Sequence, residues 1–319
     1  MSAPTRVAVR APARLHFGVL DLRGHLGRRF GGIGAAVPVP GVVLEAEPAA
    51  ELSATGPDAD RALEFARRYL ADRGLAGGAR FQVHEAIPAH AGLGSGTQLA
   101  LSVARALAEL YRQPTAAEEL ALSVGRGRRS AIGTWLFEQG GFILEGGRRP
   151  GSDAVAPLLA RLPMPADWRC VVVVPEGKPG LSGEAEAAAF TDLVPPAQEE
   201  VERVAHIVLL QLLPALADAD LPAFGDALSE IQRVTGGWFA AAQGGAFAPG
   251  PSAELVSRLA QWGAVGGVGQ SSWGPAVYGI VGSEGEGARI EALARSSVGR
   301  RARVYWTGFA NEGARVMVE

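Results

Sequence analysis

The chain has 319 residues, 48% of them hydrophobic, and a formal net charge of −3 at pH 7. This length and composition supply one large hydrophobic core or two moderate ones, so we expect one or two globular domains. The small negative charge excludes the basic field that nucleic-acid binding requires, and no nucleic-acid partner is expected.

A single lysine and a single cysteine limit the chemistry of the chain. Because Lys178 is the one lysine, side-chain recognition of phosphate or carboxylate groups depends mainly on arginine. Cys170 lies in an apolar run, which predicts a buried strand residue. The first residues lack the apolar centre of a signal peptide, and no apolar run has the length of a membrane span. The expectation is a cytoplasmic protein without a membrane partner.

The first predicted element alternates from Arg6 to Leu22 and is interrupted at Pro12, which predicts two β-strands. After the proline, apolar residues share one strand face, and Arg14 and His16 share the other. Since this face lies next to a polar loop, Arg14 and His16 are candidate catalytic residues.

The loop that follows mixes charged residues with glycines and reads DLRGHLGRRFGG. Asp21 is a candidate catalytic carboxylate or magnesium ligand, and Arg28 is a candidate substrate-binding residue. A solvated surface hairpin remains an open interpretation of the same residues.

A glycine-rich loop between a strand predicted from Arg80 to Ile87 and a long alanine-rich helix gives the clearest signal. Glycines let backbone N–H groups approach a ligand closely, and a helix N-terminus carries unpaired donors and partial positive charge. The loop therefore predicts a phosphate or pyrophosphate site. It is not a Walker loop because no lysine follows, and a simple chain turn remains the alternative. The candidate residues are Gly92, Leu93, Gly94, Ser95, Gly96 and Thr97.

The next predicted helix begins at Thr115, where Glu118 completes a capping-box pattern. It ends at GRGRR, whose three arginines beside glycines predict a second anion or carboxylate site, with Arg126 as the candidate. Solvated surface arginines remain the alternative. A further helix carries Glu138, a candidate catalytic carboxylate or magnesium ligand.

A loop-like stretch with two prolines marks the predicted domain boundary, which gives domains of residues 1–157 and 158–319. In the second domain, an apolar helix is predicted from Val201 to Leu216. Its apolar character favours a homodimer.

A second glycine-rich turn, GGVGQSSWGP, precedes a strand predicted from Ala276 to Val281. Such a turn can line the other side of an anion pocket. Gly269, Ser271 and Ser272 are candidate phosphate-binding residues, and Trp273 is a candidate substrate-binding residue.

Several blocks of the sequence resemble a known family. Pro88, followed after three residues by Gly92-Leu93-Gly94-Ser95, resembles the second signature of the GHMP kinase superfamily, and the second glycine-rich turn has the position of the third. Together with ARLHFGVLD and GRGRRSAIGTWLFEQGGFILEGG, these blocks resemble the beta-ribofuranosylaminobenzene 5'-phosphate synthases of methanopterin biosynthesis. The resemblance spans nearly the whole chain.

This resemblance implies an α+β, GHMP-kinase-like fold, with an N-terminal α/β domain carrying the phosphate loop and a C-terminal ferredoxin-like domain. It implies a glycosyltransferase that condenses phosphoribosyl pyrophosphate with 4-hydroxybenzoate or 4-aminobenzoate. Carbon dioxide and pyrophosphate leave, and a carbon–carbon glycosidic bond forms. The family uses magnesium, so Mg²⁺ is the expected cofactor.

Two other functions remain open. An ATP-dependent small-molecule kinase would use the same loops, but Gly96-Thr97 replaces the usual second serine and lysine is scarce, which argues against phosphoryl transfer. A non-catalytic phosphosugar-binding protein is the other alternative. The sequence does not decide which para substituent the acceptor carries.

Overall fold

The structure contains two β-sheets. It is a computed structural model that describes residues 4–176, 180, 183–299 and 301–319. Lys178 lies outside these residues. The larger sheet has the strand order β11-β1-β2-β4-β3, with β5 on β2 and β6 on β5. Its strands are β1 (Val7–Asp21), β2 (Phe30–Ala49), β3 (Ser53–Thr55), β4 (Gly78–Glu85), β5 (Phe142–Glu145), β6 (Leu158–Leu162) and β11 (Arg315–Val318). Strands on both sides of residue 157 belong to this sheet, and a domain division at that residue stays a prediction.

The first strand is longer and more irregular than its sequence predicts. Pro12 does not divide it into two strands; the pairing with β2 shifts register between Pro12 and Ala13 and again between His16 and Gly18. The prediction of two strands is therefore wrong, because an irregular register accommodates the proline without ending the strand. The second shift places Arg14, His16, Gly18 and Val19 along one cavity.

Four helices precede β5 in the chain, and the second of them is the most buried. They are α1 (Ala59–Arg73), α2 (Ser95–Tyr111), α3 (Ala117–Ser123) and α4 (Ile132–Gln139). The small and apolar residues of α2 are almost completely buried, as its helical spacing predicts. The capping box predicted at Thr115 is wrong: α3 begins at Ala117 and has no side-chain cap.

The smaller sheet is antiparallel, with the strand order β10-β7-β9-β8. Its strands are β7 (Arg169–Val174), β8 (Val265–Gln270), β9 (Val277–Val281) and β10 (Arg303–Thr307). The accompanying helices are α5 (Gly183–Asp192), α6 (Gln198–Ile207), α7 (Leu213–Ala217), α8 (Leu221–Trp238), α9 (Ala240–Gln243), α10 (Pro251–Gln261) and α11 (Glu284–Ser297). The order of strands and helices is that of a ferredoxin-like unit, which confirms the expected fold class. The glycines before Gln270 lie in a strand and not in a turn.

The apolar stretch predicted as one helix is interrupted by a π-helical turn, Val208–Leu212, between α6 and α7. Val204, Val208 and Leu212 are buried, whereas Leu209 and Leu210 are 56% and 68% exposed. The homodimer stays a prediction. None of the helices in the described part of the chain has both the length and the apolar composition of a bilayer crossing.

A backbone contact fixes α8 against the smaller sheet. A Cβ built on Gly225 of α8 would lie 0.7 Å from the carbonyl oxygen of Gly266 in β8. Only glycine allows this approach, because any side chain would have to displace backbone atoms. The contact matters for the site described below, because α8 also carries Gln232 and Thr235.

We predict that Gly225→Ala lowers the free energy of unfolding by at least about 3 kcal/mol, since neither backbone can yield without moving α8 from the sheet. Gly237→Ala is the matched control, because Gly237 lies in the same helix and a Cβ there meets nothing within 4 Å. Urea unfolding followed by circular dichroism measures both variants. Equal stability of the two would contradict this account of the contact.

Candidate active site

The glycine-rich loop and the turn after β8 are in backbone contact. A Cβ on Gly92 would lie 2.0 Å from the carbonyl oxygen of Ser271, and the φ of Gly92 is +82°. The His16 N–H donates to Ser271 Oγ at 3.0 Å, and Ser271 Oγ donates to the Gly92 carbonyl at 2.7 Å. The first strand, the glycine-rich loop and the second turn therefore meet at one point, as the sequence predicts for the two loops.

The mouth of α2 offers unpaired backbone donors. Gly94 is the N-cap residue with a φ of +78°, and the side chain of Arg14 packs directly over it. Within the described residues, the N–H groups of Ser95 and Gly96 have no hydrogen-bond partner, whereas the Thr97 N–H donates to the Gly94 carbonyl at 3.0 Å. Two free amides at the positive end of a long helix are suited to bind an anion.

A cavity opens beside this helix mouth. Arg14 lines the cavity and also covers Gly94, so the two regions share one side chain. Aromatic rings form one wall. They are Phe30, Phe190, Phe239, Phe247 and Trp273.

The aromatic wall is tightly packed. The ring centroids of Phe239 and Trp273 are 4.8 Å apart, and Phe190 meets both rings edge-on at 5.8 and 5.5 Å. Edge-to-face packing holds such rings in fixed orientations. The wall therefore gives a flat aromatic ligand a rigid apolar surface.

Polar side chains form the rest of the lining described here, called the polar wall. They are Arg14, His16, Arg129, Ser130 and Ser272, and the Arg129 guanidinium lies over the Phe190 ring at 5.5 Å from its centroid. Burial and the adjacent charge of Arg14 lower the pKa of His16 to about 3. His16 is therefore neutral near pH 7, with one nitrogen that donates and one that accepts.

Glutamine side chains brace the base of the cavity. Gln232 Nε2 donates to the Phe17 carbonyl, and Gln232 Oε1 accepts from the Gln270 N–H at 2.9 Å. Gln270 Nε2 in turn donates to Gln243 Oε1 at 3.2 Å. This network joins the first strand, α8 and β8 beneath the cavity.

Glu145 is a buried carboxyl behind the polar wall. Its Oε2 accepts from the Gly147 N–H at 2.7 Å, and its Oε1 accepts from the Ala131 N–H at 3.3 Å. Burial raises the pKa of Glu145 to about 7, against the lowering effect of these two hydrogen bonds and of Arg148. Because Ala131 follows Arg129 and Ser130, Glu145 helps to position that part of the wall.

Three predicted site residues are not among those that line the cavity or contact the glycines of the helix mouth. Asp21 Oδ1 accepts from the Arg23 and Gly24 N–H groups at 2.6 and 2.9 Å, so Asp21 stabilises a turn. Arg28 donates to the Gly147 carbonyl at 2.9 Å. Glu138 lies near the end of α4; burial raises its pKa, and the charge of Arg105 opposes this effect.

Two of the predicted phosphate-binding residues face protein instead of open space. Gly269 lies in β8, where a Cβ would lie 2.5 Å from both the Gln232 side chain and the Tyr278 hydroxyl oxygen. Thr97 packs against Gly133 of α4. Among the described residues, the N–H groups that remain without a partner at the helix mouth are those of Ser95 and Gly96.

The described residues form no large cluster of the ligands that a metal ion needs. In the described part of the chain, no group of three or more His, Cys, Asp and Glu side chains lies together in a way that would hold a metal ion. The side chains around the α2 mouth are cationic, whereas Mg²⁺ prefers oxygen ligands and usually one or two carboxylates.

The sequence reasoning missed several residues of this site. Phe190, Phe239 and Glu145 were not candidates, because nothing in their local sequence separates a cavity residue from a core residue. Arg61 was missed as well, although it lies beside Gly96 together with Arg126. The GRGRR stretch did predict an anion site at Arg126.

Known proteins resemble this chain in sequence. The family model of the GHMP kinases N terminal domain matches residues 59–134, from α1 into α4. A beta-ribofuranosylphenol 5'-phosphate synthase from Methanothermobacter thermautotrophicus is 35% identical, with 96% of this chain and 97% of the relative covered. The enzyme of the same name from Archaeoglobus fulgidus is 34% identical, with 97% and 99% covered.

A solved homoserine kinase from Cytophaga hutchinsonii has a similar structure, with a TM-score of 0.71 over 99% of both chains. At 17% identity this likeness shows the fold alone. The expected GHMP-kinase-like fold is thereby confirmed.

We predict that Glu145 makes stability fall as pH rises. Its raised pKa of about 7 means that the folded state keeps a proton that the unfolded carboxyl releases near pH 4.5. The stabilisation is complete below the unfolded pKa and is lost as pH rises through the folded one. Between pH 5 and pH 8, the unfolding free energy of the wild type should fall by about 2 to 3 kcal/mol relative to Glu145→Gln. Urea titrations of both proteins across this range measure the difference, and parallel pH profiles would refute the prediction.

Proposed function

The chain belongs to the beta-ribofuranosylphenol 5'-phosphate synthase family and is a pentosyltransferase-type enzyme, and we propose that it joins phosphoribosyl pyrophosphate to 4-hydroxybenzoate. In this reaction carbon dioxide and pyrophosphate leave, and a C-glycoside forms for methanopterin biosynthesis. The names of the two relatives specify a phenol, which favours 4-hydroxybenzoate over 4-aminobenzoate as the acceptor.

One observation carries the proposal: an anion-binding helix mouth and an aromatic cavity share Arg14. A sugar diphosphate needs the first feature, and a benzoate needs the second. Because Arg14 touches both, a ribose held between them would have its anomeric carbon near the acceptor ring.

At the sugar end, the bond between the anomeric carbon and the pyrophosphate oxygen breaks, and its electron pair leaves with pyrophosphate. Negative charge grows on the leaving group while positive charge grows on the ribose ring. The free N–H groups of Ser95 and Gly96 are fixed donors for that growing negative charge. Since these donors are already oriented by α2, they need no rearrangement during the reaction.

At the acceptor end, the ring carbon that carries the carboxylate forms the new bond to the anomeric carbon. The para oxygen makes this carbon electron-rich, so the carbon itself loses no proton before it attacks. The bond to the carboxylate then breaks, its electron pair restores the aromatic ring, and carbon dioxide leaves. Neutral His16 and the arginines of the polar wall orient the acceptor against Phe239 and Trp273.

Magnesium remains part of the proposal as the counter-ion of the sugar diphosphate. The described residues provide no carboxylate cluster for a resident ion. Magnesium would therefore enter with the substrate, bound to its phosphate oxygens.

The reaction is tested directly with protein, magnesium, phosphoribosyl pyrophosphate and carboxyl-labelled 4-hydroxybenzoate. We expect labelled carbon dioxide and pyrophosphate in equal amounts, with slower or no turnover of labelled 4-aminobenzoate. Consumption of ATP with an alcohol substrate, without release of label, would instead assign the protein to the kinases.

We predict that Phe239→Leu raises the KM for 4-hydroxybenzoate about 3- to 10-fold, because it removes one ring from the aromatic wall. The KM for phosphoribosyl pyrophosphate should stay unchanged, since Phe239 does not contact the helix mouth. Phe309→Leu is the matched control: Phe309 is partly buried but does not line the cavity. A parallel rise in both KM values of Phe239→Leu would argue against an acceptor role for this wall.

A further inference from the structure

Two arginines from different elements converge on the outer side of the α2 mouth. Arg61 lies in α1, and Arg126 lies in the loop after α3. A Cβ on Gly96 would lie 3.0 Å from Arg61 Nη2 and 3.1 Å from Arg126 Nη2, so the two nitrogens are no more than about 6 Å apart. Like charges this close repel each other, and an anion between them would relieve the repulsion.

Both guanidinium groups are held in position by their neighbours. Asp58 Oδ2 accepts from Arg61 Nη1 at 2.9 Å, while Nη2 of the same side chain lies against Gly96. Arg126 stacks on Phe65 at 5.0 Å from the ring centroid, and its Nε is buried without a hydrogen-bond partner among the described residues. Burial and the charge of Arg61 lower the pKa of Arg126. The two side chains are thus placed for a ligand before it arrives.

The free amides of α2 lie next to this pair. Gly96 contributes one of the two unpaired N–H groups, and both arginines approach the position that a Cβ on Gly96 would occupy. Neighbouring phosphates in a diphosphate share one bridging oxygen. A phosphate bound to the amides therefore brings the second phosphate within reach of the guanidinium groups.

We propose that Arg61 and Arg126 bind the outer phosphate of the diphosphate leaving group, while the Ser95 and Gly96 N–H groups bind the inner one. This assignment rests on the proposed function, because it takes a sugar diphosphate as the ligand. The pair makes the site selective for a diphosphate over a monophosphate. The aromatic cavity lies on the other side of Arg14 and does not share this role.

Calorimetric titration of the full chain with inorganic pyrophosphate and with orthophosphate tests the proposal. The wild type should bind pyrophosphate more tightly, and Arg61→Ala and Arg126→Ala should each reduce that preference about tenfold. Arg67→Ala is the matched control, because Arg67 is exposed on the same helix and should leave the preference unchanged. An unchanged preference in both Arg61→Ala and Arg126→Ala overturns the proposal.

Gly96→Ala tests the same site with every charge retained. The φ of Gly96 is not positive, so alanine fits the helix, but its methyl group would occupy the space between the two Nη2 atoms. The preference for pyrophosphate should fall as in the arginine variants, while thermal unfolding confirms that the variant is folded. A folded Gly96→Ala that keeps the full preference overturns the proposal as well.

The label-release assay separates this inference from the proposed function. If pyrophosphate preference depends on Arg61 and Arg126 but no labelled carbon dioxide forms, the diphosphate subsite stands and the proposed reaction fails. If labelled carbon dioxide forms but the arginine variants keep their preference, the reaction stands and the subsite assignment fails.

Discussion

The site depends on the approach of two glycine-containing backbones. Gly92 of the first loop lies against the Ser271 carbonyl, and a Cβ on Gly274 would lie 2.0 Å from the carbonyl carbon of Ala91. Any side chain at either glycine would separate the two turns. The hydrogen bonds from the His16 N–H to Ser271 Oγ and on to the Gly92 carbonyl join the same turns to β1. The first loop follows β4 of the larger sheet, and the second turn follows β8 of the smaller sheet. Their contact therefore brings the phosphate loop close to the cavity with the aromatic wall.

Positive charge dominates the helix mouth. Arg14, Arg61 and Arg126 pack near the first turn of α2. Asp58 pairs with Arg61, and Arg126 stacks on the Phe65 ring. Partly buried arginines repel one another and lose hydration, which costs folding free energy. An enzyme whose ligand is a diphosphate recovers this cost on binding. His16 beside Arg14 is neutral, and this avoids the additional repulsion that a second cation at that position would cause.

The fold is shared with kinases, but a fold does not determine its reaction. The likeness to homoserine kinase covers 99% of both chains, at 17% identity, and so concerns the fold alone. The aromatic wall comes from β2, α5, the α8–α9 junction, the loop after α9 and the turn after β8. Fixed amide donors and a flat apolar wall suit the reaction proposed above, in which an aromatic carbon attacks and no phosphoryl group is transferred.

The sequence alone determined the features that depend on local chain geometry. Gly92, Gly94 and the helix after them predict an anion site because glycine conformation and helix ends are local properties, and the alternation around Arg14 and His16 predicts their common face. The tertiary structure decided which distant residues complete the site: Arg61 reaches Gly96 from another helix, and Phe190 joins Trp273. It also placed Asp21 and Glu138 away from the cavity, although their residue types suited a catalytic role. Residue type and spacing do not show which elements pack together, because packing depends on the burial of whole faces of helices and strands that are distant in the chain.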